Sequence, residues 1–281
     1  MERKEVVYVV GLYINVEEVD KAKTFGGKGR VYLLGALYEA LTLPPKTLVV
    51  HFVPLEKLTV DIFTALRLNL YSTVPRLLPA SAYVSLDADL VLSDNFHSTI
   101  LNIFKQHVGF GGCFGPKMGE GNWLKWFREI IYVQRELGKP DLMPYRIVAG
   151  LWGMRSPYWE MVAREAERMC QLFYSKHPEL RGKGWGEAPF EEAFLTLALT
   201  PFYRRGLLKV YVTGVDAKKM KDMEPFPDPE FRYPTTHGQG LRFFVPFLKE
   251  KLRGYLNIKV ADALRLIEER QYVYTKGELR G

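Results

Sequence analysis

An apolar run, Tyr83-Val84-Ser85-Leu86, leads straight into Asp87-Ala88-Asp89 and then Leu90-Val91-Leu92. In an extended chain, residues two apart point to the same side, so the two carboxylates can face one target. Paired negative charges repel unless a cation sits between them, and a hard divalent ion with oxygen ligands, Mn²⁺ or Mg²⁺, resolves that repulsion. Such an ion can bridge neighbouring phosphates and neutralise the charge building on a leaving diphosphate. The other reading of the triplet is an exposed turn whose acidic side chains cap the next helix. The apolar run in front favours the first, because open α/β sheets bind ligands beyond the carboxyl ends of their strands. Ser93-Asp94 reads as ordinary N-capping of a helix over 95–107.

The surrounding chain alternates apolar segments of strand length with longer segments of helical period, the pattern of an α/β layer with a mainly parallel sheet. The spacing predicts strands over 6–14, 47–53, 82–86, 109–114, 146–154 and 207–213. It predicts helices over 31–43, 55–70, 95–107, 123–137, 157–174, 189–199, 241–252 and 261–274. Residues 224–239 carry Pro225, Pro227, Pro229 and Pro234 and read as extended and turn-rich. With no repeat and no linker, the expectation is one compact domain, with a nucleotide-binding half over 1–115 and an acceptor half over 116–281.

Composition narrows the class further. Apolar residues at 47% and charged residues at 25% are those of an ordinary globular protein. No apolar run reaches the ~18–20 residues of a membrane span. The start loosely imitates a signal peptide, but its apolar part runs into Asn15-Val16-Glu17-Glu18 without a small-residue cleavage site, so it reads as a buried strand. Two cysteines, Cys113 and Cys170, make neither a disulfide framework nor a zinc cluster, which gives a cytoplasmic location as the expectation. The net charge of +7 gathers partly in the last third, which suits phosphates or an anionic membrane surface. With no basic-aromatic RNA motif or helix-turn-helix pattern, nucleic acid is not an expected partner.

Leu86-Asp87-Ala88-Asp89-Leu90-Val91-Leu92-Ser93 resembles the metal signature of GT-A glycosyltransferases, especially the glycogenin-like group, glycosyltransferase family eight. The resemblance implies a GT-A-like α/β fold and a UDP- or GDP-sugar donor. It also implies that Asp87 and Asp89 hold a metal, with Asp87, Ala88 and Asp89 against the donor's ribose and diphosphate. Three later segments fall in the order such a family requires. Val148-Ala149-Gly150-Leu151-Trp152 is similar to the family's second strand, where Gly150 lets the backbone approach the donor sugar; Ala149 stands where the family has Asn.

Glu191-Glu192 opens an apolar helix, and acidic residues in a first turn can simply complement the helix dipole. In the glycogenin-like pattern Glu191 takes the donor-side carboxylate position. In the inverting family-two pattern Glu192 is instead the general base. His237-Gly238-Gln239-Gly240-Leu241-Arg242 resembles the His-x-x-Gly element that supplies the third metal ligand, His237, with Gly240 in the closing loop. The family's lysine is replaced by Phe243, so Arg242 is the expected phosphate contact. Arg67 or Arg76 is the candidate upstream donor contact, and Trp152 and Trp185 could stack on a sugar, core packing being the alternative for both.

Two other enzyme classes share parts of this pattern. Haloacid-dehalogenase-type phosphatases place Asp-x-Asp after an apolar strand and use the first Asp as nucleophile, but need a downstream Lys and then a second acidic cluster, and after the lysines around Lys218 this sequence has Asp222, Asp228 and Asp262 with no paired Asp after a strand. Sugar-phosphate nucleotidyltransferases carry a glycine-rich basic loop after the first strand, for which Gly26-Gly27-Lys28-Gly29-Arg30 is the only candidate. The transferase expectation uses the same segment as a donor-phosphate contact.

Overall fold

The computed structural model describes residues 4–22, 27–113, 124–213, 223–232 and 240–281, with the backbone alone for 124–126 and 240–243. The strands are β1 (Lys4–Ile14), β2 (Leu48–Pro54), β3 (Ala80–Leu86), β4 (Gly109–Cys113), β5 (Leu151–Arg155), β6 (Leu208–Val212), β7 (Tyr272–Thr275) and β8 (Glu278–Arg280). The helices are α1 (Val16–Lys21), α2 (Lys28–Thr42), α3 (Val60–Leu77), α4 (Phe96–Gln106), α5 (Leu124–Glu136), α6 (Tyr158–Lys176), α7 (Glu191–Arg204), α8 (Gly240–Lys251) and α9 (Val260–Arg270). They form one mixed sheet, ordered β6-β4-β5-β3-β1-β2-β7-β8 and flanked by helices on both faces. Pairing is parallel throughout except where β5 runs against β3 and β4, and where β8 turns back along β7. This is the mixed, mainly parallel α/β architecture expected.

β1 reads as a nearly unbroken apolar run because both of its faces are covered. Val6, Tyr8, Val10, Leu12 and Ile14 pack under α2, α4, α8 and α9. Val7 and Val9 pack under α3, α5, α6 and α7. The chain leaves β1 through α2 to reach β2 on one side, and then returns to place β3 on the other side of β1. That reversal opens a crevice beyond the carboxyl ends of β1 and β3, where open α/β sheets bind ligands. No helix among the described residues is long and apolar enough to cross a membrane, and Cys113 and Cys170 are buried free thiols.

Several boundaries differ from the sequence pattern for local reasons. The helix expected over 55–70 starts later and runs through Pro75. A proline inside a helix frees the carbonyl four residues back; here that is Tyr71, whose oxygen accepts a 2.9 Å hydrogen bond from the Trp159 indole. Ser93 does not cap α4. Its hydroxyl accepts from the Asn95 N–H and donates to Asp228 at 2.6 Å, fastening the 223–232 segment beside the end of β3. The strand expected over 146–154 begins only at Leu151, because residues 149–150 form a turn. The helix expected over 261–274 stops at Arg270, and Tyr272–Thr275 joins the sheet edge as half of a hairpin.

That hairpin pairs with β2, so part of the chain after residue 115 completes the sheet begun by the first strands. The buried amide of Gln271 ties them together: its nitrogen donates to the carbonyls of Ala40, Leu43 and Pro44, while its oxygen accepts from the N–H groups of Thr47 and Leu48.

Candidate functional site

Asp87 is the first residue past the end of β3, and Ala88 and Asp89 form a turn. The strand alternation invoked from sequence therefore stops one residue too early, and the two carboxylates are set by tertiary contacts instead. The Asp87 N–H donates to the Gly150 carbonyl at 3.2 Å, joining the triplet to the turn before β5. Below it, Gly35 of α2 approaches so closely that a β-carbon there would lie 1.6 Å from the Ala88 carbonyl oxygen. Only glycine lets the helix sit under this turn.

Arg67 organises the other side. The sequence offered it as an exposed donor contact, but only 5% of it is accessible, and the fold employs each of its nitrogens. Nε donates to the Tyr71 hydroxyl at 2.8 Å. Nη1 pairs with Asp87 and lies 3.8 Å from Glu191. Nη2 donates to Ser85 Oγ and to the carbonyls of Leu86 and Ala149. The Ala149 carbonyl also accepts from Ser85 and Tyr71. Arg67 therefore positions Asp87, because a buried guanidinium with this many partners has no freedom to reach a ligand. Arg76, the other candidate, is exposed in the last turn of α3, whose axis carries it away from the Arg67 end that meets the carboxyl end of β3.

Asp89 is buried, and its Oδ1 has no hydrogen-bond partner among the described residues. Burial raises its pKa, the Asp87 charge raises it further, and Arg67 opposes both. The same field reaches α2. Tyr32, and Glu39 two turns further on, both feel Asp87 and Asp89, and each is held in its neutral form chiefly by burial. Glu39 is wholly buried, and neither carboxyl oxygen has a hydrogen-bond partner among the described residues.

This gives a pH signature. The Glu39 carboxyl binds its proton more tightly in the folded chain than in the unfolded one. Both states are protonated below the ordinary carboxylate pKa, and folding stability is lost as pH rises from there towards the folded value. Each pH unit crossed in that window removes about 1.4 kcal/mol. Glu39→Gln removes the ionisation, so in the presence of EDTA its melting temperature should match that of the unsubstituted protein near pH 4 and exceed it increasingly towards pH 8. Curves that stay parallel across the range would refute the assignment.

Glu191 and Glu192 open α7 but play different parts. Glu192 is fixed by the fold: Oε2 accepts from Arg146 Nε at 2.7 Å, and Oε1 accepts from the Ala149 N–H at 3.4 Å. Arg146 in turn lies over the Phe190 ring, 4.8 Å from its centroid. Glu191 is buried, with Oε2 unpartnered among the described residues. Burial pushes its pKa up to about 8, with Glu192 and Asp87 adding to the rise and Arg67 opposing it. At neutral pH Glu191 is therefore largely protonated.

The remaining expected residues separate. Gly150 lies against Asp87 through its carbonyl. Trp152 is fully buried and stacks on Trp159 at 4.1 Å and 5°, so it is a core residue and offers no face to a sugar. Trp185 is 56% exposed. Arg30 is buried and donates to the carbonyls of Val19, Ala22 and Ile258, clamping α1 and the approach to α9, so it is closed to phosphate. His237 and the side chain of Arg242 lie outside the described residues. Their flanks do adjoin the site: Arg232 forms a two-hydrogen-bond bridge with Val91, two residues past Asp89, and the Phe244 ring meets the face of α2 at Gly35. Among the described residues no third His, Cys, Asp or Glu completes a metal-ligand group.

The site thus combines two carboxylates at the switch point, one guanidinium locking the first of them, and two further acidic groups, Glu39 and Glu191, that burial keeps largely protonated. Glu39, Tyr32 and Arg146 escaped the sequence reading. The available signal for Glu39 was a lone acid in the otherwise apolar run Tyr32-Leu33-Leu34-Gly35-Ala36-Leu37-Tyr38.

No protein-family model and no curated protein matches the chain. It is similar in fold to a glycosyltransferase involved in the glycosylation of the major capsid of PBCV-1 (11% identity, 88% of this chain and 99% of that one, TM-score 0.45). It is similar also to the WbbM bifunctional glycosyltransferase (10% identity, 96% of this chain and 52% of that one, TM-score 0.46), of which it spans about half. A third similar structure is the 4-diphosphocytidyl-2C-methyl-D-erythritol synthase of Anaerococcus prevotii (10% identity, 88% of this chain and 99% of that one, TM-score 0.36).

Proposed function

We propose that the chain is a metal-dependent glycosyltransferase that moves a sugar from a UDP- or GDP-sugar to an acceptor. The observation that carries this reading is Asp89: a buried carboxyl with one oxygen unpartnered among the described residues, beside Asp87, at the switch point of a mainly parallel sheet. A buried acceptor atom without a donor is costly unless something else binds it. Hard oxygen ligands suit Mn²⁺ or Mg²⁺, which keep several coordination positions for phosphate and water, so two protein carboxylates are an adequate donor set. Asp87 and Asp89 would hold the ion, with His237 as a third ligand on the strength of its motif. When bound, the ion supplies charge neutralisation for the departing nucleoside diphosphate.

The protein's own groups do the positioning. Arg67 holds Asp87 at the crevice and also faces Glu191. Glu191 is the catalytic candidate, because it keeps a buried oxygen that is unpartnered among the described residues, and in its protonated form it can donate to a hydroxyl of the donor sugar. Glu192, the base of the inverting alternative, serves as a positioning residue because Arg146 and the Ala149 N–H occupy both of its oxygens.

Thermal unfolding with UDP or GDP, with Mn²⁺ or with EDTA, tests the reading. A hundredfold excess of ligand over Kd stabilises the native state by about 2.7 kcal/mol. The expected result is stabilisation by one nucleoside diphosphate with Mn²⁺ and none with EDTA. Equal stabilisation in EDTA, or none in either condition, would overturn it.

A further inference from the structure

Trp185 is the most exposed large hydrophobic side chain among the described residues, yet the chain around it is firmly built. Gly184, Trp185, Gly186 and Glu187 form a tight turn in which the Glu187 N–H donates to the Gly184 carbonyl at 3.2 Å. Gly186 has φ +84°, which glycine adopts without strain. The Glu187 carboxylate closes the turn from outside by accepting the Gly184 N–H at 2.8 Å. Two further hydrogen bonds fasten the preceding loop to the start of α3: Gly182 N–H to Asp61 at 3.0 Å, and Val60 N–H to the Lys183 carbonyl at 3.2 Å. The indole meets Phe63 and Phe190 edge-on, with ring centroids 5.0 and 5.6 Å away, so these rings support it while much of its surface faces solvent.

Those rings lead directly to the transfer site. Phe63 lies 5.8 Å from the Arg67 guanidinium carbon, and Arg67 pairs with Asp87. Phe190 immediately precedes Glu191. Trp185 stands on the α3–α7 side of the carboxylates, whereas Tyr32 and Glu39 approach them from α2 on the opposite face of the sheet.

We propose that Trp185 is the acceptor platform, and that the acceptor presents a pyranose ring to it. This rests on the transferase reading, in which the donor's diphosphate is drawn to Asp87 and Asp89 and the acceptor must approach from a different side. A pyranose has an apolar C–H face and a rim of hydroxyls. It can cover an indole face while its hydroxyls stay hydrated, which suits a platform left open to water. A wholly apolar acceptor would need an enclosed groove. Gly186, next to Trp185, has open space where a side chain would begin, so its neighbour adds no bulk beside the exposed indole.

The test compares the unsubstituted protein with Trp185→Ala and Trp185→Phe. Methyl pyranosides of the common hexoses and pentoses are titrated by ligand-observed saturation-transfer NMR, and UDP and GDP with Mn²⁺ by thermal shift. The expected result is binding of at least one pyranoside, weakened about tenfold or more by Trp185→Ala and largely retained by Trp185→Phe. The nucleotide shift should be the same in all three. Equal pyranoside affinity in Trp185→Ala, or no pyranoside bound by the unsubstituted protein, would overturn the platform alone. A nucleotide shift lost only in Trp185→Ala would overturn it in favour of a contact with the donor's base. A nucleotide shift absent from the unsubstituted protein would count against the transferase reading and, with it, against the platform's assignment to an acceptor.

Discussion

Replacing Arg67 with methionine is expected to lower folding stability by about 3–5 kcal/mol, the usual cost of leaving a buried charge without its partner. Asp87 and Glu191 both face this guanidinium; the core around Tyr71 and Trp152 cannot take its place, and solvent reaches only about a quarter of the Asp87 side chain. The loss should appear as a lower urea midpoint at unchanged slope, since the folded surface stays the same. Lysine should recover only part of it, because one ammonium cannot serve the Tyr71 hydroxyl, the Asp87 carboxylate and the carbonyls of Leu86 and Ala149 together. Adding Glu191→Gln to Arg67→Met should change stability little at neutral pH, since Glu191 is already largely protonated and the loss of Arg67 favours its proton further. A methionine variant within about 1 kcal/mol of the parent would show that the pair contributes little, and Arg67 would then be better regarded as a ligand contact after all.

This Arg67 network marks where sequence reasoning reached its limit. β1, β2, β3, β4 and β6 were legible within one or two residues, because a doubly covered strand must be apolar along its whole length. α2, α4, α5 and α6 were legible from their helical period. What failed depended on partners distant in sequence. Pro75 is tolerated because the Trp159 indole takes the freed carbonyl of Tyr71, and no local pattern reveals a donor 88 residues away from Tyr71. The 272–280 hairpin follows a strongly amphipathic helix with no glycine or proline between them, and only pairing with β2 distinguishes Tyr272–Thr275 from another helical turn.

The site divided in the same way. Asp87 and Asp89 were visible because a polar pair interrupts apolar surroundings, although the geometry first assigned to them was that of a strand rather than a turn. Gly150 and the Glu191-Glu192 pair were also visible, and the structure gathers all of them around Asp87. The roles within that group were not readable. Glu191 and Glu192 are chemically identical neighbours, and only tertiary contacts give one a tight arginine partner and leave the other buried with an oxygen unpartnered among the described residues. Arg67 and Trp152 looked like ligand contacts because arginine and tryptophan are common in binding sites. Their burial shows the fold using them as internal struts.

Asp89→Asn separates a structural carboxylate from a ligand-binding one, because the two roles predict opposite signs. A structural carboxylate that caps a turn loses stability when its charge is removed. Asp89 instead has a buried oxygen that is unpartnered among the described residues and lies in the field of Asp87, so a neutral amide relieves both desolvation and repulsion. In EDTA at pH 8 the asparagine variant should therefore melt at or above the temperature of the parent. With Mn²⁺ and the nucleoside diphosphate, the parent should gain the roughly 2.7 kcal/mol expected at a hundredfold excess, and the variant should gain almost none. Asp87→Asn should behave differently in EDTA, losing stability because Arg67 would keep its buried charge without its closest carboxylate. The contrast between two acidic residues two positions apart is the diagnostic feature. If Asp89→Asn destabilises the metal-free protein while the metal-dependent gain survives, the triplet is a turn cap and the cation site lies elsewhere.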